Sequence, residues 1–258
     1  MNQVEPQPDA LLEAHLKSLR LPSFVQHYRK IGAEAARANL DYSRYLLALA
    51  EGEVAQRERN QQLRCIHAAH FPVLKELSDF DFAVIPTLQK ARVLDLARGE
   101  YLRKAENLIL LGGPGLGKTH VATGLALAAC RMKHKVRFFT AAGLINDLIE
   151  AQNKQQLPRL IQMALRQQLI VIDELGFIPF TESGAQLMFQ FCSALYERVS
   201  VIITTNLPFG KWTQLFHDET LTAALLDRLT HRAHILEFSG AESFRLRQRL
   251  KKQEAIKE

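Results

Sequence analysis

The feature that most constrains the fold of this chain is a glycine-rich loop that joins an aliphatic run to an apolar helix. The run Leu108–Leu111 is followed by Gly112–Thr119, which reads GGPGLGKT and satisfies the pattern G-x-x-x-x-G-K-S/T. The next stretch, to about residue 132, carries apolar residues on one helical face. A strand, this loop and a helix in that order are the setting in which the pattern binds phosphate, so we expect a phosphate-binding loop here.

Short apolar runs recur along the second half of the chain, with helical stretches between them. Strands that alternate with helices indicate a mostly parallel sheet whose two faces are both covered by helices. The predicted fold class is therefore α/β, with a central parallel five-stranded sheet. The five runs are Leu108–Leu111, Val136–Thr140, Leu169–Asp173, Val199–Thr205 and His234–Phe238.

The first third of the chain has a different texture. Residues 1–70 have the apolar spacing of helices, and we interpret them as a small all-helical N-terminal domain that binds a partner or DNA. Residues 71–86 interrupt that spacing with prolines and aspartates and are interpreted as a linker. Residues 87–258 are predicted to form the α/β domain, which ends in a short basic tail.

Composition narrows the class of protein. The hydrophobic fraction of 47% and the charged fraction of 23% are those of an ordinary globular protein, and no long uncharged apolar run is present. The first residues lack the basic and apolar blocks of a signal peptide. The three cysteines are far apart without metal-ligand spacing, so we expect reduced thiols in a bacterial cytoplasmic protein with no membrane partner.

The positive charge is unevenly distributed. Residues 1–100 carry 13 Lys+Arg and 13 Asp+Glu, whereas residues 101–258 carry 20 and 14. A basic excess in the second half points to an acidic partner such as DNA, with general solubility as the alternative. Four basic residues just after the phosphate-loop helix are candidate DNA contacts, or else a solvated helix end: Arg131, Lys133, Lys135 and Arg137.

The residue types of the loop predict a site for ATP and Mg²⁺. Glycines allow successive backbone N–H groups to point inward, and the helix N-terminus adds positive partial charge. Lys118 is expected to reach the β- and γ-phosphates, and the Thr119 hydroxyl to bind Mg²⁺. The candidate nucleotide-binding residues are Gly112, Gly113, Pro114, Gly115, Leu116, Gly117, Lys118, Thr119 and His120.

Polar residues end two of the other predicted strands. The aliphatic run before Asp173 and Glu174 predicts that Asp173 holds Mg²⁺ and that Glu174 orients or deprotonates the attacking water, although the pair could instead cap a turn. Asn206 follows the fourth run and could contact that water or the γ-phosphate, or serve a turn before Pro208. Arg228 lies between leucines on a predicted helix.

Taken together, these motifs resemble a known family. The loop Gly112–Thr119, the Asp173–Glu174 pair, the strand end at Asn206, the Asp227–Leu229 segment and the tail Phe244–Arg247 are similar to AAA+ ATPases of the initiator and helicase-loader clade. Within that clade the chain most resembles the IstB-type transposition helper ATPases. The resemblance covers nearly the whole chain.

The resemblance implies a set of roles. The Asn206 strand would lie between the strands that end at Gly112 and Asp173, and Asn206 would be the first sensor. Arg228 would be a catalytic finger inserted into the ATP site of a neighbouring subunit. Two helices between the second and third strands, with Lys154 and Arg159, would match the extra helical element of the clade and contribute further DNA contacts.

The resemblance also implies an activity. The family assembles on DNA in an ATP-dependent manner and hands a target site to a transposase. A replicative helicase loader with the same ATPase core is the close alternative, and a P-loop kinase for a small molecule is a more distant one, against which Glu174, Asn206 and Arg228 argue. The 30 residues after Arg228 predict a truncated or absent helical lid. Arg245 and Arg247 could then be part of a solvated basic tail instead of a second sensor.

Overall fold

The structure is a computed structural model that describes residues 8–240, and the chain divides into two compact units with the boundary after Arg64. The tail with Phe244–Arg247, and with it the question of a second sensor, lies outside the described residues. The helices are α1 (Pro8–Ser18), α2 (Pro22–Arg37), α3 (Tyr42–Ala69), α4 (Lys90–Leu96), α5 (Glu100–Arg103), α6 (Lys118–Arg131), α7 (Ala141–Asn153), α8 (Leu157–Ala164), α9 (Glu182–Leu195), α10 (Thr213–Phe216) and α11 (Glu219–Thr230). The strands are β1 (Asn107–Gly112), β2 (Val136–Thr140), β3 (Leu169–Leu175), β4 (Ser200–Thr205) and β5 (Ala233–Phe238).

The first unit is helical, as the apolar spacing of its sequence predicts. Pro22 occupies the first turn of α2, where its fixed φ and missing N–H cost nothing. Leu16, Tyr28 and Leu49 come from three different helices and are all buried. Each helix therefore contributes an apolar face to the small core of this unit.

A buried carboxylate joins the helices of the first unit. Glu53 on α3 accepts a hydrogen bond of 3.0 Å from the backbone N–H of Ser23 and one of 2.7 Å from Nε of Arg57. The same guanidinium donates to the carbonyl oxygen of Arg20 at 2.7 Å. Burial raises the pKa of Glu53, but the bonds from Arg57 and Ser23 outweigh it, so the pKa lies below its ordinary value of 4.5. Glu53 thus caps the N-terminus of α2 from a distant part of the chain.

The second unit contains a five-stranded parallel sheet in the order β2-β3-β4-β1-β5. This confirms the predicted α/β fold class. The strand that ends before Asn206 lies between the strands that end at Gly112 and Asp173, as the resemblance implies. The carboxyl ends of these three central strands therefore meet at one edge of the sheet, where ligands bind in open α/β folds.

Alternate residues of the strands pack on opposite faces of the sheet, as the strand geometry requires. Leu108, Val171 and Ile202 belong to one core, which also contains Val121 and Leu125 of α6. Ile170, Ile172, Val201 and Ile203 belong to a second core with α7, α9 and α11. The sheet is therefore covered on both faces, which explains its continuous aliphatic runs.

Residues 71–86, the predicted linker, pack on the second unit. They contain two short 3₁₀ helices, Leu77–Asp79 and Phe82–Val84, and Ile85 is buried in the core that contains α6. Leu77 lies so close to Gly124 of α6 that a Cβ at Gly124 would come within 2.7 Å of it. This segment therefore covers part of the phosphate-loop helix.

None of the helices described within residues 8–240 is long and apolar enough to cross a membrane. The three cysteines are free thiols, and Cys130 and Cys192 are buried. Burial raises the pKa of both thiols to about 12, which keeps them protonated and unreactive.

Candidate functional site

The phosphate loop lies between the end of β1 and the start of α6. Gly117, the N-cap of α6, has φ of 87°, and a Cβ there would lie 2.6 Å from the ring of Phe80. At Gly112 a Cβ would lie 2.2 Å from the carbonyl oxygen of Phe238. Both positions therefore require glycine, because any side chain would collide with a neighbour.

The first two residues of α6, Lys118 and Thr119, direct their side chains to the phosphate loop and to Asp173. Lys118 is buried, with an exposed fraction of 7%, and its ammonium donates hydrogen bonds of 2.7 Å to the carbonyl oxygens of Gly112 and Gly113. Thr119 donates its hydroxyl proton to a carboxylate oxygen of Asp173 at 2.9 Å. The loop thus holds a positive charge inside its curve, at the positive end of a helix dipole.

Asp173 is the buried acidic group of the site. Its side chain is almost fully buried, and the same carboxylate oxygen accepts hydrogen bonds from the hydroxyls of Thr119 and Thr204, at 2.9 and 2.5 Å. Both donors are uncharged. A buried carboxylate is stabilised by a countercharge, so the Asp173 carboxylate and the Thr119 hydroxyl are suited to bind a cation.

Glu174 follows at an irregularity in the sheet. Ile172 of β3 pairs with Ile203 of β4, but Leu175 pairs with Thr205, so two residues of β3 oppose one residue of β4. Glu174 takes up the extra length in the left-handed region, with φ of 62°. Its backbone N–H donates to the hydroxyl of Thr204 at 2.9 Å. This β-bulge re-aims the strand so that Glu174 is exposed in the cavity described next.

A cavity of about 370 Å³ adjoins the phosphate loop. Its size is in the range of small-molecule sites in proteins. One wall is formed by the loop, and the other by residues from the predicted linker, which sequence reasoning did not assign to the site. The sequence feature that could have indicated this wall is a set of apolar residues within 71–86, a segment otherwise rich in Pro and Asp. The lining residues include Leu74, Phe80, Asp81, Val84, Ile85, Pro114, Leu116, Lys118, Thr119, His120, Glu174, Phe177 and Thr204.

His120 lines the cavity but is also part of its framework. Its Nε2 lies 2.7 Å from the carbonyl oxygen of Glu76, and its ring packs edge-on against Phe80. The carboxylate of Glu76 forms a two-bonded ion pair with Arg131 at the other end of α6. Glu76 therefore contacts both the first and the last turn of this helix.

Asn206 lies at the edge of the site. Its side-chain oxygen is buried and has no hydrogen-bond partner among the residues that the structure describes. A Cβ placed on Gly176 would lie 3.2 Å from this oxygen, which puts Asn206 beside the turn after Glu174. Asn206 is not part of the cavity lining. A buried acceptor of this kind is usually satisfied by water or a ligand.

Arg228 projects elsewhere. Its guanidinium lies 4.9 Å from the ring centroid of Phe189 on α9 and donates to the carbonyl oxygen of Ala224 at 3.3 Å. It does not line the cavity of its own chain. The structure therefore does not bring Arg228 together with Lys118 and Asp173 within one subunit.

The candidate DNA contacts differ in their surroundings. Arg131 is paired with Glu76, and Lys154 is paired with Glu150, whose pKa is lowered by that hydrogen bond. The guanidinium of Arg137 lies 5.3 Å from the ring centroid of Phe139. Three more of these residues are exposed: Lys133, Lys135 and Arg159.

The residues at the loop fit a magnesium nucleotide. Within the described part of the chain no group of three or more His, Cys, Asp and Glu side chains is arranged to hold a metal. Mg²⁺ does not need such a cage, because it is commonly held by one or two protein oxygens together with phosphate oxygens and water. Thr119 and Asp173 are such a pair, adjacent to the buried ammonium of Lys118.

The sequence is similar to a known family and to proteins encoded by insertion sequences. The family model "IstB-like ATP binding protein" matches residues 14–252. The putative ATP-binding protein of insertion sequence IS21 from Pseudomonas aeruginosa is 34% identical, over 93% of this chain and 90% of its own length. That of insertion sequence IS5376 from Geobacillus stearothermophilus is 30% identical, over 93% of this chain and 95% of its own.

Two solved structures share the fold. DnaI covers 64% of this chain and 91% of its own, with a TM-score of 0.52 and 17% identity. The replication initiator DnaA bound to AMPPCP and single-stranded DNA covers 69% of this chain and 54% of its own, with the same TM-score and identity.

Proposed function

The chain belongs to the IstB-like ATP-binding protein family, and from this premise we propose that it is a Mg²⁺-dependent ATPase that assembles on DNA and assists a transposase. The observation that carries the proposal is that Lys118, Thr119 and Glu174 line one cavity beside the phosphate loop, with Thr119 hydrogen-bonded to the buried Asp173. ATP binding follows from the family. Hydrolysis, assembly and the client are the proposed steps.

The loop and its two flanking residues bind the phosphates and the metal. The backbone N–H groups of the loop and the N-terminus of α6 surround the phosphate chain, and the ammonium of Lys118 pairs with its outer oxygens. Thr119 and Asp173 would hold Mg²⁺, which would supply positive charge beside the phosphates. Because Lys118 and Asp173 are buried, water screens these charges little.

Glu174 acts on the nucleophile. It is exposed in the cavity, one residue after the metal-binding carboxylate, where it can accept a proton from water or orient it toward the γ-phosphate. Asn206, beside the turn after Glu174 but outside the cavity lining, is proposed as the second residue that orients that water once ATP is bound. Together the two groups fix the direction of attack.

Assembly is supported by the position of Arg228. A catalytic arginine that does not line its own cavity can complete the site of a neighbouring copy. Its planar charge would then stabilise negative charge on the γ-phosphate across the interface. In the free subunit the Arg228 side chain is half-buried against Phe189 and bonds to the carbonyl oxygen of Ala224.

DNA is proposed as the scaffold for this assembly, and a transposase as the client. The relatives reported above are encoded by insertion sequences, which supports a transposase, and the N-terminal region predicted at residues 1–70, whose first unit ends at Arg64, is its proposed docking unit. A replicative helicase loader with the same ATPase core is the second candidate. A pull-down with candidate transposase and helicase partners, with and without residues 1–64, distinguishes the two.

Phosphate release with and without DNA tests the ATPase proposal. Wild-type protein should hydrolyse ATP, and faster on DNA. Lys118→Ala should lose nucleotide binding or turnover, because the loop loses its charge toward the phosphates. Glu174→Gln should bind ATP normally, turn over little and form a longer-lived DNA complex. Wild-type turnover in both variants would overturn the assignment, and turnover that requires an acceptor and ignores DNA would indicate a kinase.

Salt dependence tests the DNA proposal. Reversal of the exposed Lys133 and Lys135 to Glu should weaken binding and reduce the slope of log affinity against log salt by about 0.9 for each DNA phosphate that is no longer neutralised. Reversal of Arg103, an exposed residue of α5, is the matched control. Equal affinity and slope in all three proteins would place the DNA surface elsewhere.

A further inference from the structure

Thr204 has no role in the assignments above, yet it touches both acidic residues of the site. It is a buried residue of β4, with an exposed fraction of 1%, and it lines the cavity. Its hydroxyl donates to Asp173 at 2.5 Å and accepts from the backbone N–H of Glu174 at 2.9 Å. One oxygen atom therefore joins the metal-binding carboxylate to the backbone of the proposed general base.

The β-bulge explains why such a link is needed. The extra residue of a bulge has an N–H group without a partner in the ladder, and a buried N–H without a partner is costly. Here Asp173 and Glu174 oppose Thr204, and the Thr204 hydroxyl takes the place of the missing ladder acceptor. Because Asp173 accepts the proton of that hydroxyl, the lone pairs of Oγ1 are left to face Glu174.

The backbone at Glu174 would relax without this link. A non-glycine residue in the left-handed region is strained, and such strain persists only where the surroundings fix it. The hydrogen bond from the Glu174 N–H is one contact that fixes it, and it ends on the same atom that fixes Asp173. Removal of that atom would leave the Glu174 N–H without its acceptor and Asp173 with only the hydrogen bond from Thr119.

We propose that Thr204 is a positioning residue that sets the Asp173 carboxylate and the Glu174 backbone in register for attack by water. The proposal rests on the ATPase function proposed above. It requires the hydroxyl and not the shape of the side chain. Serine at this position keeps the function, whereas valine, which has the same shape as threonine, removes it.

The experiment compares Thr204→Val, Thr204→Ser and the control Ser200→Ala. Ser200 lies at the other end of β4, and its buried hydroxyl donates to the carbonyl oxygen of Tyr101, so the control loses a buried hydrogen bond away from the site. Amide hydrogen exchange of a peptide covering residues 169–178 is measured in nucleotide-free protein. Turnover, and binding of a non-hydrolysable ATP analogue in EDTA, are measured in parallel.

Exchange at the Glu174 amide should be about tenfold faster in Thr204→Val, because its acceptor is removed. Turnover of that variant should fall by about 100-fold at nearly constant KM, as expected for misplaced reacting groups. Nucleotide binding in EDTA should not change, because the phosphate loop is intact. Thr204→Ser should restore both exchange and turnover, and Ser200→Ala should alter neither.

Two results would overturn the proposal: wild-type exchange at Glu174 in Thr204→Val, or equal loss of turnover in Thr204→Ser and Thr204→Val. The first would show that the hydroxyl does not hold the bulge, and the second that packing of the methyl group matters instead. If the wild-type protein did not hydrolyse ATP, the proposed function would fail, while the exchange data would still decide whether Thr204 holds Glu174.

Discussion

Among residues 8–240, each of the two units buries one carboxylate, and the two carboxylates have opposite kinds of partner. Glu53 in the helical unit has an exposed fraction of 4% and Asp173 in the α/β unit one of 3%. The guanidinium of Arg57 and the N–H of Ser23 bind Glu53, whereas two neutral hydroxyls bind Asp173. Burial alone therefore does not separate a structural acid from a functional one.

The nature of the partners does separate them. The charge of Glu53 is balanced by its own chain, and its pKa is accordingly lowered. Hydroxyls orient the charge of Asp173 but carry no countercharge, and a cation bound beside this carboxylate is part of the proposed function. The buried carboxylate of the helical unit is thus paired within its own chain, whereas under the proposed function that of the α/β unit pairs with a bound cation. The following experiments test this difference, from the largest expected effect to the smallest.

The largest effect is expected at Arg228, if a neighbouring copy completes the site. Arg228→Ala should still bind ATP as a dilute monomer, but its turnover should fall by roughly 10³–10⁵, the range for catalytic arginine fingers. Wild-type turnover per subunit should rise with protein concentration. Mixing Arg228→Ala with Lys118→Ala should recover part of the activity, because some interfaces would combine an intact loop with an intact arginine. No recovery in mixtures shown to co-assemble would mean that Arg228 acts within its own subunit.

Asp173→Asn should reduce turnover by about 10²–10³, since the metal loses a charged ligand. The thermal midpoint of the nucleotide-free protein should stay the same or rise, because a buried charge with neutral partners is removed. Calorimetry and phosphate release measure the two effects. A clearly lower midpoint would show that Asp173 stabilises the fold as Glu53 does, which would contradict the distinction drawn between the two carboxylates.

Glu53→Ala should have the reverse profile. The N-terminus of α2 loses the acceptor for the Ser23 N–H, and Arg57 loses its carboxylate partner, which should destabilise the helical unit by about 1–3 kcal/mol in denaturant unfolding. ATP binding by the α/β unit should be retained. Glu51→Ala, an exposed acid on the same helix, is the matched control and should be neutral. A loss of ATP binding in Glu53→Ala alone would contradict the assignment of Glu53 to the first unit.

The smallest effect is a pH dependence. Because the pKa of Glu53 in the folded protein is below its ordinary 4.5, its contribution to stability is present above about pH 4.5 and is lost as pH falls through the folded value. The stability difference between wild type and Glu53→Gln should therefore shrink as pH is lowered from 6 to 3. Unfolding curves at each pH measure it, and a difference independent of pH would mean that the carboxylate charge does not matter.

These tests involve residues that the sequence predicts to different degrees. The phosphate loop, the Asp173–Glu174 pair and the five strands are local patterns, so the α/β fold could be predicted and is confirmed. The cap of α2 by Glu53 joins residues 30 positions apart, and the contact of Thr204 with Asp173 depends on a bulge. Contacts between residues far apart in the chain produce no regular spacing of residue types, so a single sequence does not predict them.

The same limit explains the wall of the cavity. Phe80 and Ile85 belong to a segment whose prolines and aspartates indicate a connection, and neither has the period of a helix or a strand. Their burial depends on the fit of Leu77 against Gly124 and of Phe80 against Gly117. These contacts exist only after α6 has folded, so the sequence cannot predict them. The one indication in the sequence is that apolar residues occur within a polar segment.

At Glu174, protein stability and turnover favour different residues, because the backbone there is left-handed. Glycine or asparagine adopts this conformation at lower cost than glutamate, so substitution by either should make the fold easier to maintain. Selection for catalysis opposes that gain, a trade-off expected at active sites. Glu174→Gly should therefore raise the free energy of unfolding of the protein while it lowers turnover.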